Sequence, residues 1–142
     1  MTVSRILAAK GRCVVTTRTH RTLHEIVAEL ALHEIGALVV VDLNDEVVGL
    51  ISERDVIAAL AANGIGVMQD AVERHMVKPR VMDEKDSIEE AMETMTQERR
   101  RHLPVMREGR LSGIISVGDV VKFRLETIEN EHKALRDYIA TA

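Results

Sequence analysis

The sequence predicts a mixed α/β (α+β) fold, built as two tandem βαββα units related by pseudo-two-fold symmetry and followed by a long C-terminal helix. Three observations predict it. The chain repeats itself; each copy opens on a helix-capping signal ahead of an apolar stripe; and each copy closes a short hairpin on the pattern Gly-h-h-Ser-x-x-Asp, where h is apolar.

The repeat is read by direct alignment. Thr22-Leu-His-Glu-Ile26 matches Ser87-Ile-Glu-Glu-Ala91, and Ala37–Val41 matches His102–Met106, both at an offset of 65. Val48–Val56 then matches Ser112–Val120 at an offset of 64, so the turn Arg107–Arg110 is one residue shorter than Asp42–Glu46. Identities fall at Glu25/Glu90, Leu38/Leu103, Val40/Val105, Gly49/Gly113, Ile51/Ile115, Ser52/Ser116, Asp55/Asp119 and Val56/Val120. Two units of about 60 residues are too few and too long for a solenoid, which points to a paired domain. The expected division is 1–64 for the first motif, 65–77 for a linker, 78–125 for the second motif and 126–142 for a helical extension.

Short strands are expected at Cys13–Thr17 and Arg80–Met82, one ahead of each unit. Thr22 with Glu25, and Ser87 with Glu90, have the spacing of a capping box. The stripes Leu23, Ile26, Val27, Leu30 and Ile88, Ala91, Met92, Met95 then follow the period of a helix with one apolar face. Leu38–Leu43, the turn Asn44–Glu46 and Val47–Ile51 read as a hairpin, repeated by Leu103–Met106, Arg107–Arg110 and Leu111–Ile115. Ser52 and Ser116 start new helices, and Asn63-Gly64 ends the first of them. The weakly patterned stretch Ile65–Val77 holds one short helix. The last helix spans about Asp119 to Ile139, and Leu125, Ile128, Leu135 and Ile139 form a heptad-like seam with His132 in its gap. That seam packs either on its own domain or on a second copy, and the second is the expected homodimer.

Composition excludes several classes. A net charge of −4 offers no global field for nucleic acid, and one Phe and one Tyr without Trp supply no stacking platform. No apolar run approaches the length needed to span a membrane, and the first ten residues lack the apolar core of a signal peptide. Cys13 is the only cysteine, which points to a reducing, cytoplasmic setting and reads as a small buried or half-buried hydrophobe. His20, His24 and His33 invite a metal reading, but no Asp, Glu or Cys completes a ligand set at suitable spacing, so no metal is expected. There is no phosphate-binding Walker loop and no nucleophile elbow, hence no expected catalytic residue.

Ser-x-x-Asp carries chemistry of its own. It places a hydroxyl at a helix N-cap and a carboxylate one turn in, beside a helix terminus that can meet an anion. The same spacing is also a variant capping box, and the two roles are compatible. The run Arg99-Arg100-Arg101-His102 reads either as cations at a helix C-terminus or as ligands for a phosphate tail. Arg54 lies inside Ser-Glu-Arg-Asp, where the second copy has Gly118. Lys10 and Arg12 are weaker phosphate candidates.

The doubled βαββα order, with Gly49-Leu-Ile-Ser-Glu-Arg-Asp55, Gly113-Ile-Ile-Ser-Val-Gly-Asp119 and Arg101-His-Leu-Pro-Val105, resembles a cystathionine-β-synthase (CBS) domain pair over Cys13 to about Leu125, of the small stand-alone bacterial type. The resemblance implies a regulatory module, not an enzyme, that binds AMP, ADP, ATP or NAD(H) in two clefts between the motifs and signals to an unknown effector protein. It implies one cleft formed by Ser116 and Asp119 with Thr16, Thr17, Ala37 and Leu38. The other combines Ser52 and Asp55 with Val81, Met82, His102, Leu103 and Pro104, and with motifs paired in this way Arg54 and Arg101 converge on the same cleft. An enzyme acting on a nucleotide, a hydrolase, is the alternative.

Overall fold

The computed structural model describes residues 1–141. The first motif comprises β1 (Thr16–Arg18), α2 (Leu23–His33), β2 (Ala37–Val41), β3 (Val47–Ser52) and α3 (Glu53–Asn63), preceded by a short helix α1 (Val3–Lys10). Two 3-10 helices, Ile65–Gln69 and Val72–Arg74, lead to the second motif. It comprises β4 (Met82–Asp83), α4 (Ile88–Gln97), β5 (His102–Arg107), β6 (Arg110–Ser116) and α5 (Val117–Thr141). Each motif forms a three-stranded sheet in which its first strand runs parallel, and its third antiparallel, to the middle strand.

Local chemistry sets the helix starts. The Thr22 hydroxyl accepts from the Glu25 N–H, and the Glu25 carboxylate accepts from the Thr22 N–H, completing a capping box. At Ser87 only half of the expected box forms: Ser87 Oγ accepts from the Glu90 N–H, with no return bond from the Glu90 side chain. The inward stripes are narrower than predicted. Leu23, Ile26 and Leu30 are buried while Val27 is exposed; Ile88, Ala91 and Met95 are buried while Met92 is exposed. Both of these helices end on a non-glycine left-handed residue, Glu34 (φ 53°) and Arg99 (φ 53°), a matched pair across the repeat.

Several boundaries differ from the sequence expectation. The first strand begins at Thr16, and Cys13 is exposed, not buried. The strand expected at Arg80–Met82 forms at Met82–Asp83. Leu43 lies in the turn, almost fully exposed at 94%, because β2 ends at Val41. The linker holds two short helices where one was expected.

β2 is buried on both faces. Leu38 and Val40 point into the core of the first motif, with Leu23, Ile26, Ile51 and Val56. Ala37, Val39 and Val41 point the other way, into a layer shared with Leu111 and Ile114 of the second motif. Burial on both faces is why a continuous run of apolar residues occupies the strand.

Helix α1 has no counterpart in the sequence reading, which grouped its residues with the first motif. Its buried side chains, Val3, Ile6 and Leu7, belong to the core of the second motif with Met82, Ile88, Leu103 and Ile115. The linker does the mirror-image job. Val67 and Val72 lie in the core of the first motif, with Met76 packed against it. Backbone bonds repeat the symmetry: Ile88 N–H donates to Met1 O and Val3 N–H to Asp86 O, as Leu23 N–H donates to Asp70 O and Val72 N–H to Arg21 O. The segment before each motif thus completes the opposite one.

The two repeat glycines explain themselves here. A Cβ on Gly113 would lie 2.6 Å from Leu7 Cδ2, and one on Gly49 would overlap the Met76 sulfur. The glycine of Gly-h-h-Ser is required by close packing of the crossed-over segment on the sheet.

Candidate functional site

The two Ser-x-x-Asp motifs sit at the starts of α3 and α5. Ser52 Oγ accepts from the Asp55 N–H at 3.3 Å, and Asp55 Oδ2 accepts from Ser52 N–H at 3.0 Å and Oγ at 2.9 Å. At the second site Asp119 Oδ2 accepts from Ser116 N–H at 2.8 Å, and Ser116 Oγ accepts from Asp119 N–H at 3.1 Å. Both pairs are therefore caps. Every bond that the two carboxylates accept here goes to Oδ2, which leaves the other carboxylate oxygen available to a ligand.

A cavity of about 450 Å³ opens at the start of α3. Ser52, Arg54 and Asp55 from the first motif and Arg99, Arg100, Arg101 and His102 from the second line it together. Four arginines thus line one cavity together with two carboxylates, the capped Asp55 and Glu53. Among the described residues, none of the four forms an ion pair, whereas Arg12, Arg18, Arg21, Arg74, Arg80, Arg107 and Arg124 all do. Their charge faces open space, which suits a polyanion. Arg99 and Arg100 reach the cavity because the left-handed residue at the end of α4 turns the chain back toward α3.

A smaller cavity, about 280 Å³, lies on the other side of His102. Ala37 and Ser116 line it, with Lys10, Cys13 and Gly36. Lys10 Nζ donates to Asp119 Oδ2 at 2.6 Å and to the Ile114 carbonyl at 2.7 Å. The carboxylate is thus already met by an ammonium. Burial pushes the Asp119 carboxyl up, but the Lys10 and Ser116 hydrogen bonds outweigh it and hold it below the usual carboxylate range.

His102 and Gly36 form the wall common to both cavities. A Cβ on Gly36 would lie 3.4 Å from His102 Nε2, so the ring lies flush against that backbone. Burial and the nearby Lys10 ammonium push the His102 imidazole below its ordinary value, although Asp119 and Glu53 pull the other way.

The remaining sequence candidates fall elsewhere. Leu38, Met82 and Leu103 are core side chains. Thr17 and Pro104 are buried in their strands and line neither cavity. Thr16 and Val81 share a third hollow, beside the two hairpin turns, that neither Asp55 nor Asp119 lines. Arg12 is taken up by the buried Glu84, at 2.7 Å. The contact between Lys10 and Asp119 spans 109 residues and has no local signature in the sequence. Among the described residues no group of three His, Cys, Asp or Glu side chains could hold a metal ion. No described helix is long and apolar enough to cross a membrane.

Comparison with known proteins agrees with this architecture. The CBS domain profile matches the chain twice, at residues 11–62 and 70–126. The structure resembles that of a CBS-domain containing protein from Agrobacterium tumefaciens, with 41% identity, a TM-score of 0.84, and coverage of 87% of this chain and 92% of that one. It also resembles a CBS domain protein from Pyrobaculum aerophilum solved in complex with AMP, at 25% identity and a TM-score of 0.76, covering 84% and 89% of the two chains. A mitochondrial CBS domain-containing protein of Arabidopsis thaliana is 28% identical over 147 residues, covering 97% of this chain and 71% of the relative. With the repeat, the paired sheets and the two profile matches in agreement, the chain belongs to the CBS domain family and carries the domain as a pair.

Proposed function

We propose that this protein is a regulatory adenine-nucleotide sensor that works as a homodimer, binds ligand without turning it over, and signals to an effector protein. The observation that carries the reading is the larger of the two cavities, lined by four arginines without ion pairs and by the capped Asp55. In this reading the free oxygen of Asp55 accepts the ribose hydroxyls, the backbone and aliphatic wall beside His102 hold adenine, and Arg54 and Arg99–Arg101 take the phosphates. The Pyrobaculum relative binds AMP in the same fold, which supports an adenosine-containing ligand here. The excess of positive charge favours ATP, ADP or a dinucleotide such as NAD(H) over AMP in this cleft. The smaller cleft, with Lys10 on Asp119, is the weaker site.

Calorimetric titration of three variants tests the assignment. Losing a hydrogen bond to a charged group costs about 1.5–3 kcal/mol, or roughly 10- to 150-fold in affinity. Asp55→Ala weakens ATP binding by that order, Asp119→Ala leaves the larger cleft nearly unchanged, and Arg101→Ala weakens ATP more than adenosine. Wild-type affinity and stoichiometry in both aspartate variants would reduce the two motifs to helix caps. Hydrolysis of ATP faster than about 1 per second, the low end of ordinary enzymes, would replace the sensor with a catalyst.

A further inference from the structure

Helix α5 presents two apolar faces on opposite sides. Val120 is buried and Phe123 packs against the core of the second motif, while Thr127 is half-buried one turn further on. On the other side Val121, Leu125, Ile128, Leu135 and Ile139 are 44–65% exposed, and His132 is exposed among them. Their spacing alternates 4 and 3 without a break from 121 to 139, the a/d repeat of a coiled coil over about 27 Å of helix. Assigning d to Val121, Ile128 and Leu135 puts a at Leu125, His132 and Ile139 and places Phe123 at f, the point farthest from the seam. The body of the protein therefore lies behind the helix and leaves the seam open.

We propose that this seam is occupied by the same seam of a second copy, as a parallel, in-register two-stranded coiled coil. The proposal rests on the homodimer reading above and adds its interface and orientation. Charge at the flanking positions decides the direction. In a parallel pair, g of one helix meets e of the next heptad on the other: Glu131 meets Arg136, and Arg124 meets Glu129, all opposite in sign. Arg124 is also 3.7 Å from Glu89 of its own chain, so Glu131 with Arg136 is the cleaner pair. In the antiparallel register that keeps the seam apolar, Leu125 faces Leu135 and Val121 faces Ile139. The flanks then bring Glu129 against Glu129, Glu131 against Glu131, and Lys122 against Arg136, all repulsive. His132 adds to the choice. In register it faces its own copy, where one imidazole can donate to the other; a slip or a reversal sets it against an aliphatic side chain. A polar residue at one a position fixes register in this way at some cost in stability.

Ile139→Cys in a Cys13→Ser background of the full chain tests this, with light scattering run alongside. Parallel helices bring the two new thiols to disulfide distance, whereas antiparallel ones hold them about 27 Å apart. The expected result is a species of twice the chain mass that becomes covalent on mild oxidation. Arg136→Glu should weaken that dimer about 2- to 10-fold, and adding Glu131→Arg should restore it. A dimer that does not cross-link, or one that Arg136→Glu strengthens, overturns the parallel seam and leaves the homodimer standing. A monomer at micromolar concentration overturns both.

Discussion

His102 has the most consequential environment of any single residue in this protein. It sits between the two cavities, and burial together with Lys10 favours its neutral form. The unfolded chain takes up a proton at this residue near the ordinary 6.5, whereas the folded chain does so only at lower pH. The unfolded state binds more protons between those two values, so stability falls as pH drops through about 6.5 and levels off below the folded value. His102→Gln should remove that part of the acid sensitivity. Thermal melts of both proteins from about pH 7.5 to 5.5 check it, and parallel curves would contradict it. Lys10 makes a second prediction at this scale. Its ion pair with Asp119 is partly exposed, so Lys10→Met should change stability by less than about 1 kcal/mol. The same change frees the Asp119 carboxylate, so a second equivalent of nucleotide should appear in calorimetry. An unchanged stoichiometry would show that Lys10 does not restrain the smaller cleft.

At the scale of elements, the crossed-over segments do the work that a reading of the repeat overlooked. Leu7 packs where a Cβ on Gly113 would sit. Gly113→Ala should therefore cost about 1–3 kcal/mol by overpacking, and Leu7→Ala about 2–5 kcal/mol by leaving a cavity. The double variant should lose less than the sum, because the new methyl enters the space that Leu7 vacates. Denaturant titration of the four proteins gives the coupling, and strict additivity would mean that α1 does not press on β6. Helices α2, α3 and α4 were legible in the sequence because their caps and stripes are local. Helix α1 was not, since three apolar residues on one short helix, Val3, Ile6 and Leu7, give a weak signal. Its reason to exist is a core whose other members begin at Met82. Strand ends were shifted for a related cause. Leu43 and Val81 are apolar, yet the pairing registers stop short of them, and only tertiary contacts set where pairing stops.

At the scale of the whole molecule, the candidate site was legible in halves. Ser52, Arg54, Asp55, Arg101 and His102 were singled out from motif and charge, and they line one cavity. The resemblance places Met82 and Leu103 there and Leu38 in the other cleft, but the side chains of all three serve the cores, so any contact with a ligand would be through backbone. The net charge of −4 hides the site altogether, because it averages a local concentration of arginine against acidic helix faces elsewhere. That concentration is the centre of the account, and it has a direct test. The intact protein should be titrated calorimetrically with adenosine, AMP and ATP at one salt concentration, with phosphate release followed in the same samples. Affinity rising with each added phosphate, and no phosphate released, is the predicted result. Equal affinity for all three ligands, no binding of any, or steady consumption of ATP would contradict the proposal that this chain reads nucleotides through its arginine-lined cleft.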